Sequence, residues 1–136
     1  MGKIRIYTCF DVTHDQDLGE RFAKEARRPD SPFEVSDCSR ASDAATEEGR
    51  LALRQRIQQV DEVVVLCGEH TDTADCASAS VEIARQEDKP YFLLWGRSER
   101  PCTKPRAARS LDGMYIWTWD MVKSRIKAGY ATHRPS

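Results

Sequence analysis

Three polar side chains are spaced so that they could do chemistry from one face of a helix. Asp75, Ser78 and Glu82 are three and four residues apart in DCASASVEIARQ, and we predict a helix from Cys76 to Glu87 with Asp75 as its N-cap. A carboxylate on such a face can accept hydrogen bonds from hydroxyl groups and stabilise positive charge. Exposed glutamates are also common on solvated helices, so the spacing alone leaves both interpretations open.

The residues that follow the strands exclude several other chemistries. The segment TCFDVTHD after the first predicted strand contains no glycine, so neither a dinucleotide fingerprint nor a phosphate-binding loop is present. The central strand ends in Cys67, where a receiver domain would need a phosphorylatable aspartate. The five cysteines are odd in number and include no CxxC pair, which predicts reduced thiols and neither a disulfide framework nor a zinc knuckle. The spacing of Cys67, His70 and Cys76 matches no usual zinc pattern, so no metal site is expected.

Size and charge favour a single cytoplasmic domain. The chain has 136 residues, with 21 basic and 22 acidic side chains and a formal charge of -1. That balance gives no general attraction to nucleic acid or to anionic membranes, and neither is expected as a partner. No apolar stretch has the length of a signal peptide or a membrane span.

The segment from Val60 to Gly96 is organised as strand, loop, helix and strand. Val63 to Leu66 is an uninterrupted apolar run, as expected for a strand covered by helices on both faces. Tyr91 to Trp95 is the next such run, and the helix between the two fits a right-handed crossover. The centre of the chain is therefore predicted to be a βαβ unit.

The rest of the chain continues the same alternation. We predict strands at Lys3–Phe10, Phe33–Asp37 and Met114–Thr118, helices at Asp15–Arg28, around Leu53–Val60 and at Trp119–Lys127, and exposed loops at Ser39–Glu48 and Arg97–Arg109. The predicted fold is a three-layer α/β domain over residues 1–128, with about five parallel strands in the order 2-1-3-4-5 and helices on both faces. Residues 129–136 are expected to form a C-terminal tail.

In that strand order, ligands should bind where the first and third strands end. The order reverses between these two strands, and open parallel sheets bind ligands in the crevice at the carboxyl ends on either side of such a point. The side chains and backbone predicted to surround this crevice are Phe10, Asp11, Cys67, Gly68, Glu69 and His70.

Several motifs in a fixed order suggest a known family. They are Phe10-Asp11 ending the first strand, PDSPFEVSDCS at 29–39, VDEVVVLCGEHTDTA at 60–74, SVEIA at 80–84, KPYFLLWG at 89–96, CTKP at 102–105 and YIWTWD at 115–120. Across nearly its whole length the chain resembles the TIR-like family of small bacterial proteins that includes the TIR sensor of Thoeris anti-phage defence. The resemblance implies a flavodoxin-like or TIR-like arrangement of the fold.

The resemblance also implies cleavage of NAD at the bond between nicotinamide and ribose. NAD would be a substrate and not a redox cofactor, and the ADP-ribose product would be released or cyclised into a signalling nucleotide. By motif, the essential glutamate of the family falls on Glu82. Partners implied by the family are a homo-oligomer formed on activation, a phage-derived trigger and a downstream effector reached through the nucleotide product.

Further substrate contacts follow from combining the family chemistry with the predicted crevice. Phe10 is expected to stack on nicotinamide or ribose, and Asp11 and Ser78 to orient hydroxyl groups. Cys67, Gly68 and His70 are expected to line the same site. The chain lacks the Trp-Cys pair that precedes the glutamate in larger animal and plant TIR domains, and has Ala79, Ser80 and Val81 there.

Two other functions remain open from the sequence. One is a TIR-like module that does not catalyse and assembles through its helices and loops. The other is an enzyme similar to nucleoside deoxyribosyltransferases, which share the architecture and also use a carboxylate.

Overall fold

A computed structural model describes residues 2–40 and 46–133. These residues form five strands and four helices, together with a single 3-10 turn at Thr71–Thr73. Strands and helices alternate as far as β4, which is followed directly by β5. The strands are β1 (Ile4–Cys9), β2 (Phe33–Cys38), β3 (Glu62–Cys67), β4 (Tyr91–Trp95) and β5 (Met114–Ile116), and the helices are α1 (Gln16–Ala26), α2 (Glu47–Gln58), α3 (Asp75–Gln86) and α4 (Trp119–His133). Much of the loop predicted at Ser39–Glu48 lies outside the described residues, and α2 already begins at Glu47.

The sheet has the predicted topology. Its five strands are all parallel, in the order β2-β1-β3-β4-β5. All six residues of β3 are buried. This agrees with the uninterrupted apolar run, which predicted a central strand covered on both faces. Alternate side chains of β3 therefore belong to different cores, with Val63 and Val65 on one face and Val64 and Leu66 on the other.

Each face of the sheet is covered by its own pair of helices. Leu53 and Ile57 of α2 share one core with Ala77, Val81 and other residues of α3. The opposite core joins α1 with α4, through Leu18 and Phe22 on the first helix and Val122 and Ile126 on the second. This division follows from right-handed crossovers: the connections β2 to β3 and β3 to β4 run in the same direction across the sheet, so α2 and α3 share a face.

Two helix starts show how local hydrogen bonds set the boundaries. Thr46 caps α2, because its hydroxyl accepts the Gly49 N–H at 2.9 Å. The prediction of Asp75 as the N-cap of α3 was wrong, because the N-cap is Ala74. Asp75 lies in the first turn, where its negative charge interacts favourably with the helix dipole. No side-chain hydrogen bond caps this helix.

The C-terminal end also differs from the prediction. Thr118 caps α4 by accepting the Met121 N–H at 3.2 Å, which ends β5 at Ile116 instead of Thr118. The helix then continues to His133, so residues 129–133 are helical and do not belong to a tail. The absence of a side chain at Gly129 lets this part of α4 pack closely over Glu62, because a methyl group there would lie 2.3 Å from Glu62 Oε1.

The carboxyl group beneath Gly129, that of Glu62, is a buried ionisable group in the sheet. Glu62 begins the central strand and is 1% exposed, and within residues 2–40 and 46–133 its Oε2 has no hydrogen-bond partner. Burial raises the pKa of Glu62 to about 9, although the charge of Arg125 opposes the shift. The group is therefore protonated at neutral pH.

Replacing Glu62 with Gln should remove a pH dependence of stability. Because the pKa of Glu62 is higher in the folded chain than in the unfolded chain, the wild-type free energy of unfolding should fall as pH rises from about 4.5 towards 9. From about pH 5 to about pH 7 the loss is up to about 3 kcal/mol. Gln has no proton to lose, so Glu62→Gln should become increasingly more stable than wild type over this interval. Urea unfolding at several pH values checks this, and a constant difference between the two proteins would contradict it.

Candidate functional site

Glu82 lies on the outer face of α3, in a cavity of about 470 Å³. The helix turns its apolar side chains towards the sheet, which leaves the positions of Ser78 and Glu82 facing α2 and the loop after β4. The cavity is lined by Arg50, Asp75, Ser78, Ala79, Glu82, Arg106 and Ala107. The polar stripe predicted from the sequence is thus one wall of an open cavity.

Arg50 holds the carboxylate of Glu82 in place. Its Nη2 lies 2.5 Å from Glu82 Oε2, and the two side chains are 40% and 44% exposed. A charge-assisted contact of this length orients the carboxylate, while the exposure leaves the group within reach of a ligand. Arg50 belongs to the first turns of α2, so the pair also joins the two helices.

The third wall of the cavity is the loop after β4, which is tied to α3 at two points. Ala107 N–H donates to Ser78 Oγ at 3.3 Å, and its carbonyl accepts a hydrogen bond from Arg85 at 2.6 Å. Arg106 lies at the rim and pairs with Asp75 at 2.7 Å, with both side chains largely exposed. Such an exposed pair is weak, so the Arg106 guanidinium is available to an incoming anion.

A second, smaller cavity lies where β1 and β3 end. Its volume is about 250 Å³, and its lining is His14, Asp15, Glu69, His70, Arg97 and Arg100. Asp11 Oδ2 lies 2.7 Å from His14 Nδ1, and the rings of His14 and His70 are 4.2 Å apart. Of the predicted crevice residues, Glu69 and His70 therefore line this cavity, and Asp11 contacts its lining through His14.

A buried ion pair closes the floor of this smaller cavity. Arg97 Nη2 lies 2.9 Å from Asp15 Oδ1, and the Asp15 side chain is only 2% exposed. Burial raises the pKa of Asp15 and the hydrogen bond from Arg97 opposes that shift. Asp15 also explains the glycine at position 68, where a methyl group would lie 2.2 Å from Asp15 Oδ2.

Three residues predicted to contact substrate at the strand ends are placed differently, which corrects their assigned roles. The Phe10 ring is 3% exposed and packs in the core beside Gly19, so it has no face on which nicotinamide or ribose could stack. Cys67 is fully buried, and burial raises the pKa of its thiol well above the usual value. Gly68 uses its N–H on Thr71 Oγ1 and its carbonyl on Thr103 N–H.

The predicted site residues thus divide between two places. Ser78 and Glu82 share the larger cavity, while His70 lines the smaller one and Asp11 contacts its lining residue His14. The two linings have no residue in common. Sequence reasoning did not identify Arg50, His14 or Asp15 as site residues. Arg50 could have been suggested by the topology, because the predicted crossovers already place α2 beside α3.

Several basic side chains of the loop at Arg97–Arg109 form contacts within the chain. Arg97 pairs with Asp15 and Asp17, Arg100 pairs with Glu69, and Lys104 donates to three backbone carbonyls. The described residues contain no group of three or more His, Cys, Asp or Glu side chains arranged to hold a metal ion. Within 2–40 and 46–133, no helix has both the length and the apolar character needed to cross a membrane.

Removing Arg97 should cost far more stability than removing its neighbour Arg100. Arg97→Ala leaves the buried Asp15 carboxylate without its cation, and we expect the free energy of unfolding to fall by about 2 to 4 kcal/mol. Arg100→Ala breaks an exposed pair with Glu69 and should cost less than about 1 kcal/mol. Urea unfolding at neutral pH compares the two, and equal effects would contradict a structural role for the buried pair.

Comparisons with known proteins give no family assignment. No protein-family model matches the chain, and no curated protein matches it. Among solved structures, the chain is similar to the glutaminase domain of CTPS from Trypanosoma brucei with bound acivicin, with 16% identity and a TM-score of 0.46. The match covers 69% of this chain and 37% of that one. A likeness of this degree carries no argument about activity.

Proposed function

We propose that this chain is a TIR-like enzyme that cleaves NAD, with Glu82 as its catalytic residue. The observation that carries the proposal is the placement of Glu82: an accessible carboxylate, oriented by Arg50, on the wall of a cavity of about 470 Å³. Cavities of this size are typical of small-molecule sites. The family resemblance of the sequence supplies the identity of the substrate.

The reaction breaks one bond and forms another at ribose C1′. The bonding electron pair leaves with the nicotinamide nitrogen, which becomes neutral, and the ribosyl centre acquires the character of an oxocarbenium ion. The Glu82 carboxylate accepts a hydrogen bond from a ribose hydroxyl and stabilises the positive charge as it develops, as carboxylates do in glycoside hydrolysis. Water then adds to C1′ and loses a proton, or a nucleophile within ADP-ribose closes a ring.

The cations of the cavity suit the phosphates of a dinucleotide. In the proposed complex the nicotinamide riboside half lies beside Glu82 and Ser78, and the pyrophosphate lies near Arg106 at the rim. The pair of Arg106 with Asp75 is exposed, so exchanging Asp75 for a phosphate costs little. Arg50 remains with Glu82 and keeps the carboxylate oriented.

Because Glu82 is exposed, a partner that covers the cavity would change which product forms. A cavity open to water favours hydrolysis, whereas cyclisation requires that water be excluded from the ribosyl centre. We propose that a second copy of the chain covers the cavity on activation, in response to a phage-derived trigger in the cytoplasm. The product would then reach a downstream effector as a nucleotide signal.

Glu82→Gln should abolish the release of nicotinamide. The amide cannot stabilise the positive ribosyl centre as the carboxylate does, so we expect turnover to fall by at least about a hundredfold. The matched control is Glu87→Gln, which removes one carboxylate from the end of the same helix, outside the cavity. Purified proteins at high concentration are incubated with NAD, and the products are resolved by mass spectrometry.

The two variants separate the proposed enzyme from its alternatives. Turnover lost in Glu82→Gln and kept in Glu87→Gln is the expected result. No nicotinamide release by wild type, even with infected-cell lysate added, would contradict the proposal and favour the assembly module. Exchange of a free base onto deoxynucleosides, without NAD cleavage, would instead indicate a deoxyribosyltransferase-like enzyme.

A further inference from the structure

A third cavity, of about 450 Å³, lies at the opposite end of the sheet from the strand-end crevice. It is formed where β3 and β4 begin, α3 ends, and the second half of α4 crosses them. Its lining includes the acidic residues Glu62, Asp88 and Asp112 and the basic residues Lys89, Arg109 and Arg125. No residue of this lining belongs to the cavity that holds Glu82.

Glu62 lies in the most buried part of this cavity. Its side chain is almost wholly excluded from solvent, yet its Oε2 has no hydrogen-bond partner among the residues that the structure describes. A buried polar atom left without a partner destabilises the folded chain, and an apolar residue would avoid that cost. Protonated at neutral pH, the carboxyl group offers an O–H donor that no described residue accepts.

The other polar atoms of the cavity favour an anion. Lys89 and Arg109 form no ion pair with any described residue, and Arg125 Nε is buried without a partner. Arg85 is committed to Ala107 and Tyr91, and Tyr91 donates to Asp112 at 2.5 Å. With Glu62 neutral, four basic side chains face two carboxylates.

The rim of the cavity is held in a costly backbone conformation. Asp88 has a φ of 54°, in the left-handed region that disfavours residues with a side chain. This turn ends α3, with Lys89 N–H donating to the Ala84 carbonyl at 2.8 Å, and brings Asp88 and Lys89 to the cavity side by side. A cation and a carboxylate together suit a ligand that is both anionic and hydroxylated.

We propose that this cavity binds a small sugar phosphate, with the phosphate on Lys89 and Arg109 and a sugar oxygen accepting the hydrogen bond of Glu62. Asp88 accepts hydrogen bonds from the remaining sugar hydroxyls. The proposal goes beyond the NAD-cleaving function and does not depend on Glu82. Neither a bare phosphate nor an uncharged sugar would use both groups of contacts.

Calorimetric titration of the full chain with ribose 5-phosphate tests the proposal, with inorganic phosphate and ribose as comparison probes. We expect ribose 5-phosphate to bind at least about tenfold more tightly than either comparison probe, since charged and neutral contacts both contribute. Arg109→Ala removes an exposed cation and should weaken binding by about tenfold. Lys127→Ala is the control, because Lys127 is exposed on α4 and does not line the cavity.

A second variant tests the role of Glu62. Glu62→Leu should weaken ribose 5-phosphate binding by about tenfold while thermal unfolding without ligand stays at or above the wild-type temperature, because an unpartnered polar group is removed. No binding to wild type at millimolar concentration would overturn the proposal. Binding that is equal for inorganic phosphate, or unchanged in both cavity variants, would overturn it as well.

Discussion

The complete burial of β3 is the constraint on which the rest of the structure depends. Six consecutive residues of a parallel strand lie between β1 and β4 with no side chain exposed. A strand of this kind is stable only if helices cover both of its faces, because each face buries apolar groups that would otherwise contact water. The two pairs of helices, and the two separate cores beneath them, follow from that requirement.

The same constraint determines where the chain can place chemistry. Because the chain crosses the sheet twice in one direction, α2 and α3 lie side by side, and their outward faces bring Arg50 to Glu82. At the strand ends, by contrast, the contacts of Asp11 with His14 and of Asp15 with Arg97 fill much of the space. Of the cavity that holds Glu82 and the cavity beside His14 and His70, the larger is therefore the one between the helices.

The sequence predicted those features that depend on local patterns or on topology. The strand order and the central βαβ unit were confirmed. Continuous apolar runs indicate the βαβ unit, and the alternation of strands and helices indicates a parallel sheet of this class. The sequence predicts Phe10 at the ligand site because Phe10 ends the first predicted strand, but the direction of its ring depends on the space beside Gly19. The contact of Arg50 with Glu82 joins residues 32 positions apart, and no local pattern specifies it. The burial of Glu62 could not be predicted from the sequence, because it depends on the packing of α4 over the start of β3.

The most direct test of the central claim is to locate NAD on the protein. Amide NMR shifts of the labelled Glu82→Gln variant are recorded as NAD is added, so that binding is observed without turnover. The account predicts that the largest shifts fall on Arg50, Ser78 and Ala107, around the cavity between α2 and α3. Shifts confined to Glu69, His70 and Arg97 would place the ligand at the strand ends and contradict the account.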